Sequence, residues 1–117
     1  MQTIKTISFT HKTTDLCNIG KLHIDVDNRA ERLSALLKFG ADEVQYLSTC
    51  NRVEILLVDS REYSNSILQD FFTAFNPKWA PEDVIWACAN CKVRVGKDAV
   101  EHVFRIASSL DSLVVGE

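Results

Sequence analysis

Val44-Gln45-Tyr46-Leu47-Ser48-Thr49-Cys50-Asn51-Arg52-Val53-Glu54-Ile55-Leu56-Leu57-Val58 consists of two apolar runs with a polar knot between them. Both runs carry the β-branched and aromatic residues that suit a pleated, half-buried surface, and the knot at Ser48–Arg52 has no room for a helix. The stretch predicts a strand pair over roughly residues 43–59. A thiol, an amide and a guanidinium are then presented together at one end of a sheet. On spacing alone, a lone cysteine in such a place is more often a small buried hydrophobe than a nucleophile.

Upstream of this pair, residues 3–10 alternate, with Ile4, Thr6 and Ser8 set against Lys5, Ile7 and Phe9, and read as a strand. His11-Lys12-Thr13-Thr14-Asp15 is a polar turn, and residues 16–27 have no clear period and are expected to be irregular. Asn28 is placed to cap a helix with Glu31 three residues on. Ala30, Leu33, Leu36 and Leu37 then recur at helical spacing until Gly40 stops the run.

Downstream, Asp59 or Ser60 is expected to cap a helix over 61–75, whose stripe is Ile67, Leu68, Phe71, Phe72 and Phe75 and whose end is Asn76-Pro77. Pro81-Glu82-Asp83 opens a short turn, and Val84–Ala87 reads as a strand or a helical turn. Lys92–Val95 is a short strand ending at Gly96. A last helix runs from Lys97 or Asp98 to Ser108 or Leu110. Val100, Val103, Phe104 and Ala107 are expected on its buried side, with Glu101 and Arg105 paired towards solvent and His102 away from the centre of the stripe. This order predicts an α+β, ferredoxin-like β-α-β-β-α-β antiparallel sheet with helices on one face and an added C-terminal helix.

Composition bounds the chemistry. A chain of 117 residues, 46% hydrophobic and 25% charged, is one ordinary globular domain with a core of its own. Its net charge of −3 leaves no global footprint for nucleic acid, so phosphate contacts would need a local strip such as Lys92, Arg94 and Lys97. No apolar stretch approaches the roughly 20 residues that cross a bilayer, and Met1–Thr6 lacks the apolar core of a secretory signal. The expected location is cytoplasmic, with Cys17, Cys50, Cys88 and Cys91 as free thiols. The apolar stripe that starts to repeat and stops at Glu117 suggests a piece of something longer.

Two groups of residues could carry chemistry. Cys88-Ala89-Asn90-Cys91 is a C-x-x-C, which suits a redox dithiol or half of a zinc site. A zinc site needs two more ligands and no second pair exists, and the flanks do not clearly show the strand-then-helix start of a thioredoxin-like dithiol, so no metal is expected and the pair reads as structural or incidental. Cys50 with Thr49, Asn51 and Arg52 is the better candidate. A nucleophilic cysteine needs a nearby cation or donor to favour the thiolate, and Arg52 could supply that field or hold a substrate carboxylate. His102 could act as a general acid. Against this stands the plainer reading of Arg52 as a surface charge and His102 as a solvated helix residue. No glycine-rich phosphate loop is present.

Ser48-Thr49-Cys50-Asn51-Arg52-Val53-Glu54 resembles the signature of glutamyl-tRNA reductase, and Ala107–Glu117 resembles that family's second signature, with His11-Lys12-Thr13 similar to its opening motif. The resemblance implies an NADPH-dependent oxidoreductase that converts glutamyl-tRNA(Glu) to glutamate-1-semialdehyde and free tRNA, in tetrapyrrole synthesis. It implies Cys50 as the nucleophile that takes the glutamyl group as a thioester, and His102 as a further catalytic residue. Thr49, Asn51, Arg52, Ser112 and Glu117 are implied as substrate-binding. Residues 1–117 would be the catalytic domain, with the NADPH-binding and dimerisation domains outside the chain and no reduction expected from this part alone. A homodimeric full-length enzyme and a glutamate-1-semialdehyde aminomutase as partner are implied as well. The sequence departs from the family at Thr14-Asp15, Ile19-Gly20 and Ser109. The alternative is a non-catalytic ferredoxin-like module that binds RNA or protein.

Overall fold

A computed structural model of the chain describes residues 3–11, 16–49 and 52–116, with side chains left out at 16, 17 and 109–116. The alternation at the N-terminus becomes strand β1 (Thr3–Thr10), and the two apolar runs become β2 (Glu43–Thr49) and β3 (Arg52–Asp59). The short β4 (Lys92–Val95) completes a four-stranded sheet in the order β2-β3-β1-β4, with every pairing antiparallel. That is the split β-α-β-β-α-β topology expected from the sequence.

One face of the sheet holds the apolar core. Ile7 and Phe9 of β1 and Val53, Ile55 and Leu57 of β3 are fully buried there. They are covered by α2 (Val26–Phe39), α3 (Asn65–Phe75) and α4 (Pro81–Asn90). The phenylalanine stripe of α3 supplies the filling: Phe72 meets Phe9 edge-on at 5.8 Å between ring centres, and Phe71 at 5.1 Å. Phe9 stacks on Trp86 of α4 at 5.7 Å. Edge-on and offset contacts of this kind suit the ring quadrupole and add to area burial.

The opposite face lies under α5 (Lys97–Gly116). The added helix and the other helices therefore take opposite sides of the sheet; α5 lies against β1 and β4, and Gln45 at the β2 end of its face is exposed. The sheet aromatics Phe9 and Tyr46 stand at register positions of the core face.

Several boundaries differ from the expectation. Residues expected to be irregular contain α1 (Leu16–Ile19) and a 3-10 turn at Gly20–Leu22, whose Ile19, Leu22 and Ile24 are buried in the core. Helix α2 begins at Val26, ahead of Asn28, and its capping position is Asp25, whose carbonyl accepts from the Asn28 amide. Gly40 ends it at φ +134°, as its position predicts. The cap of α3 is Ser64, whose hydroxyl accepts from the Ile67 amide, because Asp59 is committed elsewhere. There Arg61 and Tyr63 both donate to the Asp59 carboxylate. The segment around Val84–Ala87 is part of α4, a ten-residue helix with Pro81 at its start.

Candidate active site

The antiparallel register lays out the face beneath α5 in rows. Thr49, Arg52 and Thr10 form one row, and Leu47, Glu54, Ser8 and Lys92 form the next. Gln45, Leu56, Thr6 and Arg94 form the third. Because side chains alternate with period two, each of these positions points away from the phenylalanine core. Polar residues here do not disturb the core, and they are brought under a single helix.

His102 of α5 comes down onto the second row. It is 5% exposed, which overturns its reading as a solvated helix residue. Its Nε2 lies 2.9 Å from Glu54 Oε1 and 3.2 Å from Ser8 Oγ. The Ser8 hydroxyl donates to the same carboxylate oxygen at 2.5 Å. Arg94 Nη1 donates to Ser8 Oγ at 3.3 Å. The other carboxylate oxygen, Oε2, accepts from Arg52 Nη1 at 2.7 Å. Three elements, β1, β3 and α5, thus meet on one buried carboxylate, and β4 joins them through Ser8. A buried charge is tolerable only when paired and hydrogen-bonded, and Glu54 is both.

The orientation of α5 follows from this contact. Among its described side chains Ala99 and His102 are buried, with Val103 and Ile106 partly buried beside them. Phe104, expected in the core, is 70% exposed, and Ala107 is exposed as well. The helix is rotated so that a histidine, rather than its largest apolar residue, faces the sheet. Glu101 pairs with Lys97 at 4.0 Å on the solvent side, one turn back from the expected Arg105.

Beside the network, a cavity of about 280 Å³ lies between the sheet and α5, lined by Thr6, Leu47, Glu54, Leu56, Val103 and Ile106 among others. Thr6 Oγ1 and His102 Nδ1 are buried with no hydrogen-bond partner among the described residues. The basic strip expected at Lys92, Arg94 and Lys97 is broken up. Arg94 turns inward to Ser8, Lys97 is paired, and Asp98 and Glu101 stand in the same groove.

Of the site residues expected from the sequence, Arg52 and His102 are brought together through Glu54, and Thr49 is the Cα partner of Arg52 at the end of the β2–β3 ladder. Cys50, Asn51 and Glu117 lie outside the described residues, and Ser112 is described only as backbone of α5. The sequence reading missed Ser8, Glu54 and Arg94 as partners of this site. A signal for Glu54 was available: it is the one charge inside the run Val53–Val58.

Cys88 and Cys91 are free and sit at the C-terminal end of α4, the end that does not favour a thiolate. Burial pushes both thiols up, Cys91 to about 11. Among the described residues no group of three or more His, Cys, Asp or Glu is arranged to hold a metal ion. Nor is any described helix long and apolar enough to cross a membrane.

Comparison with known proteins gives the family and the fold. A family model described as "Glutamyl-tRNAGlu reductase, N-terminal domain" matches residues 7–117. A glutamyl-tRNA reductase of Campylobacter curvus is 40% identical over 119 residues, covering 95% of this chain and 26% of that protein. One of Macrococcus caseolyticus is 32% identical over 115 residues, covering 97% of this chain and 25% of that protein. The solved structure of glutamyl-tRNA reductase from Methanopyrus kandleri shares the fold, with a TM-score of 0.62 over 97% of this chain and 24% of that one at 24% identity. The chain spans about a quarter of the length of the curated relatives it matches. With the family match running from the middle of β1 to the last residue, the chain belongs to the glutamyl-tRNA reductase N-terminal domain family.

Proposed function

We propose that this chain is the acyl-transfer domain of an NADPH-dependent glutamyl-tRNA reductase, acting in the cytoplasm in tetrapyrrole synthesis. In this reading the Cys50 thiolate attacks the carbonyl carbon of the glutamyl ester. A carbon–sulfur bond forms, the carbon–oxygen bond to the tRNA 3′ ribose breaks, and the leaving oxygen takes a proton. An aminoacyl ester is already activated, and a thioester accepts hydride far better than a carboxylate does, so a covalent intermediate divides the work. Thr49, Asn51, Arg52, Ser112 and Glu117 bind the glutamyl group, with Arg52 suited to its carboxylate, and His102 belongs to the same constellation.

The observation that carries the reading is the pairing of Arg52 with Glu54 at 2.7 Å. Two residues beyond Cys50, a guanidinium one-third exposed is held by a carboxylate that is itself buried. A free surface arginine would be a poor substrate clamp, because ordering its side chain on binding costs entropy. The neighbouring cavity is walled by Leu47, Leu56, Val103 and Ile106, with no cation among its lining residues. A substrate carboxylate is therefore better served at Arg52.

The residues of this chain do not fit NADPH. Its glycines, Gly20, Gly40, Gly96 and Gly116, form no G-x-G-x-x-G, and the all-antiparallel sheet lacks the strand–turn–helix cradle for a pyrophosphate. The cofactor is assigned to the part of the relatives that this chain does not span. Dimerisation and the aminomutase partnership belong to that larger protein, and the reading here ends at the thioester.

The test is to incubate the 117-residue chain with tRNA carrying labelled glutamate and to look for label on protein and for released tRNA. Label should sit on Cys50 and be lost under hydroxylamine, and a Cys50→Ser chain should carry none. Deacylation unchanged by Cys50→Ser would sink the reading.

A further inference from the structure

Glu54 is 6% exposed, and its two oxygens serve different partners. Oε1 faces inward, taking the Ser8 hydroxyl of β1 and standing 2.9 Å from His102 Nε2 of α5. Oε2 faces outward and takes Arg52 alone among the described residues. To swing the outward oxygen, the carboxylate must break both inward bonds. Ser8 is itself steadied by Arg94, which donates to its oxygen and leaves the hydroxyl hydrogen for Glu54. The position of Arg52 is thus set by residues of β1, β4 and α5 that lie under the sheet.

We propose that Glu54 is a positioning residue that fixes Arg52 for the substrate carboxylate, and that His102 acts on the reaction through Glu54 rather than by exchanging a proton with the reacting atoms. The inference deepens the thioester reading and rests on it. A carboxylate only accepts, so the proton of a neutral His102 ring belongs on Nε2, where it is engaged with Oε1 at 2.9 Å and the Arg94 Nη1 donor at 3.4 Å from the same nitrogen serves Ser8 instead. The other nitrogen, Nδ1, is buried and meets no polar partner among the described residues. A general acid gives up its proton and regains it in every turnover. At His102 that would set a bare ring nitrogen against a carboxylate oxygen and remove one of the two bonds that hold Glu54 still. What this histidine can do without breaking the network is donate one fixed hydrogen bond.

An amide can make the same bond without proton chemistry. The side-chain nitrogen of His102→Gln reaches the place of Nε2, whereas His102→Leu leaves Oε1 short of a donor. Acylation of Cys50 by labelled glutamyl-tRNA, followed in single turnovers over a range of substrate, separates apparent affinity from maximal rate. We expect His102→Leu and Glu54→Gln to raise the half-saturating concentration about tenfold while the maximal rate stays within about threefold, and His102→Gln to restore most of the loss. In an Arg52→Ala background, Glu54→Gln should have no further effect, because its action passes through Arg52.

The guanidinium supplies a readout independent of activity. The Arg52 side-chain nitrogens should give resolved, slowly rotating NMR signals in the unmodified chain and in His102→Gln, and averaged ones in Glu54→Gln and His102→Leu. An Arg52 that stays ordered in all of them overturns the proposal. So does a His102→Gln chain as slow as His102→Leu with one limb of its pH–rate profile missing, or losses from Arg52→Ala and Glu54→Gln that multiply. Absence of any Cys50-dependent adduct in the unmodified chain overturns the thioester reading instead, and the NMR arm still judges whether Glu54 holds Arg52.

Discussion

Along β1 the two faces of the sheet alternate residue by residue. Ile7 and Phe9 turn into a cluster of rings from α3 and α4, where Phe71, Phe72 and Phe75 are fully buried. Ser8, between them, turns the other way and meets a carboxylate, an imidazole and a guanidinium under α5. Phe9 and Ser8 are both buried, but by different means. The core face gains its stability from apolar area and ring contacts, which are non-directional and additive to first order. The face under α5 makes a few directional bonds that contribute little net stability and fix geometry. The comparison teaches that burial alone does not separate scaffold from site, whereas the chemistry of the buried groups does.

The largest effect should come from breaking the core face. Phe72 touches Phe9, Phe71, Phe75 and Trp79, so Phe72→Ala leaves a ring-sized cavity and should destabilise the chain by about 3–5 kcal/mol. Denaturant unfolding followed by tryptophan fluorescence measures this, and a loss below about 1 kcal/mol would show that the rings are not the scaffold.

An intermediate effect belongs to Asp59, the buried carboxylate at the end of β3. Burial pushes Asp59 up, but hydrogen bonds from Arg61 and Tyr63 and the nearby guanidinium outweigh it and hold the carboxyl down from 3.8 to about 2. A group depressed on folding stabilises the folded state above its unfolded value and loses that contribution as pH falls. The Asp59 contribution, about 2 kcal/mol, should be present above pH 4 and vanish as the pH falls towards 2. Asp59→Asn should lower stability at pH 7 and flatten its fall below pH 4. Parallel acid dependence in the two chains would rule this out.

The smallest effect should carry the opposite sign. Thr6 is 2% exposed on the face under α5, with a hydroxyl that has no partner among the described residues. Thr6→Val keeps the shape and removes the unsatisfied oxygen, so it should raise stability by up to about 1 kcal/mol. A clear loss in thermal unfolding would mean that this hydroxyl has an ordered partner, such as a water in the cavity beside it.

How much of this was legible in the sequence depends on the range of the interaction that decides it. Residues 3–10 and 43–59 read correctly because the period-two alternation is local. The α3 stripe read correctly for the same reason, while its start did not. Ser64 rather than Asp59 caps it because Asp59 is held by Arg61 and Tyr63, a choice that propensity does not reveal. Helix α4 was obscured by its own composition: Val84-Ile85-Trp86-Ala87 suits a strand as well as a helix, and only packing of Trp86 on Phe9 decides. At the candidate site, Arg52 was named from the motif around Cys50 and His102 from its chemistry and the family resemblance, but Ser8, Glu54 and Arg94 were not named. Their role arises from a register across three strands that no single stretch encodes. His102 looked solvated because an apolar stripe drawn through Phe104 puts it off centre, and the helix turns instead towards the polar row.

The span of that polar network along the chain has a consequence for how the protein is made. Ser8 and His102 are separated by 94 residues, Ser8 and Arg94 by 86, and Glu54 and His102 by 48. Strand β1, which leaves the ribosome before the rest of this sheet, needs partners at 52–59 and 92–95 before both its edges are closed. At usual synthesis rates, Cys50 and Arg52 precede His102 by on the order of 3–10 s. During that interval Arg52 and Glu54 are made but His102 is not. Assembly of the site is therefore a late, long-range event. A nascent chain carries Arg52 and Glu54 before it has the Arg94 and His102 of the same network.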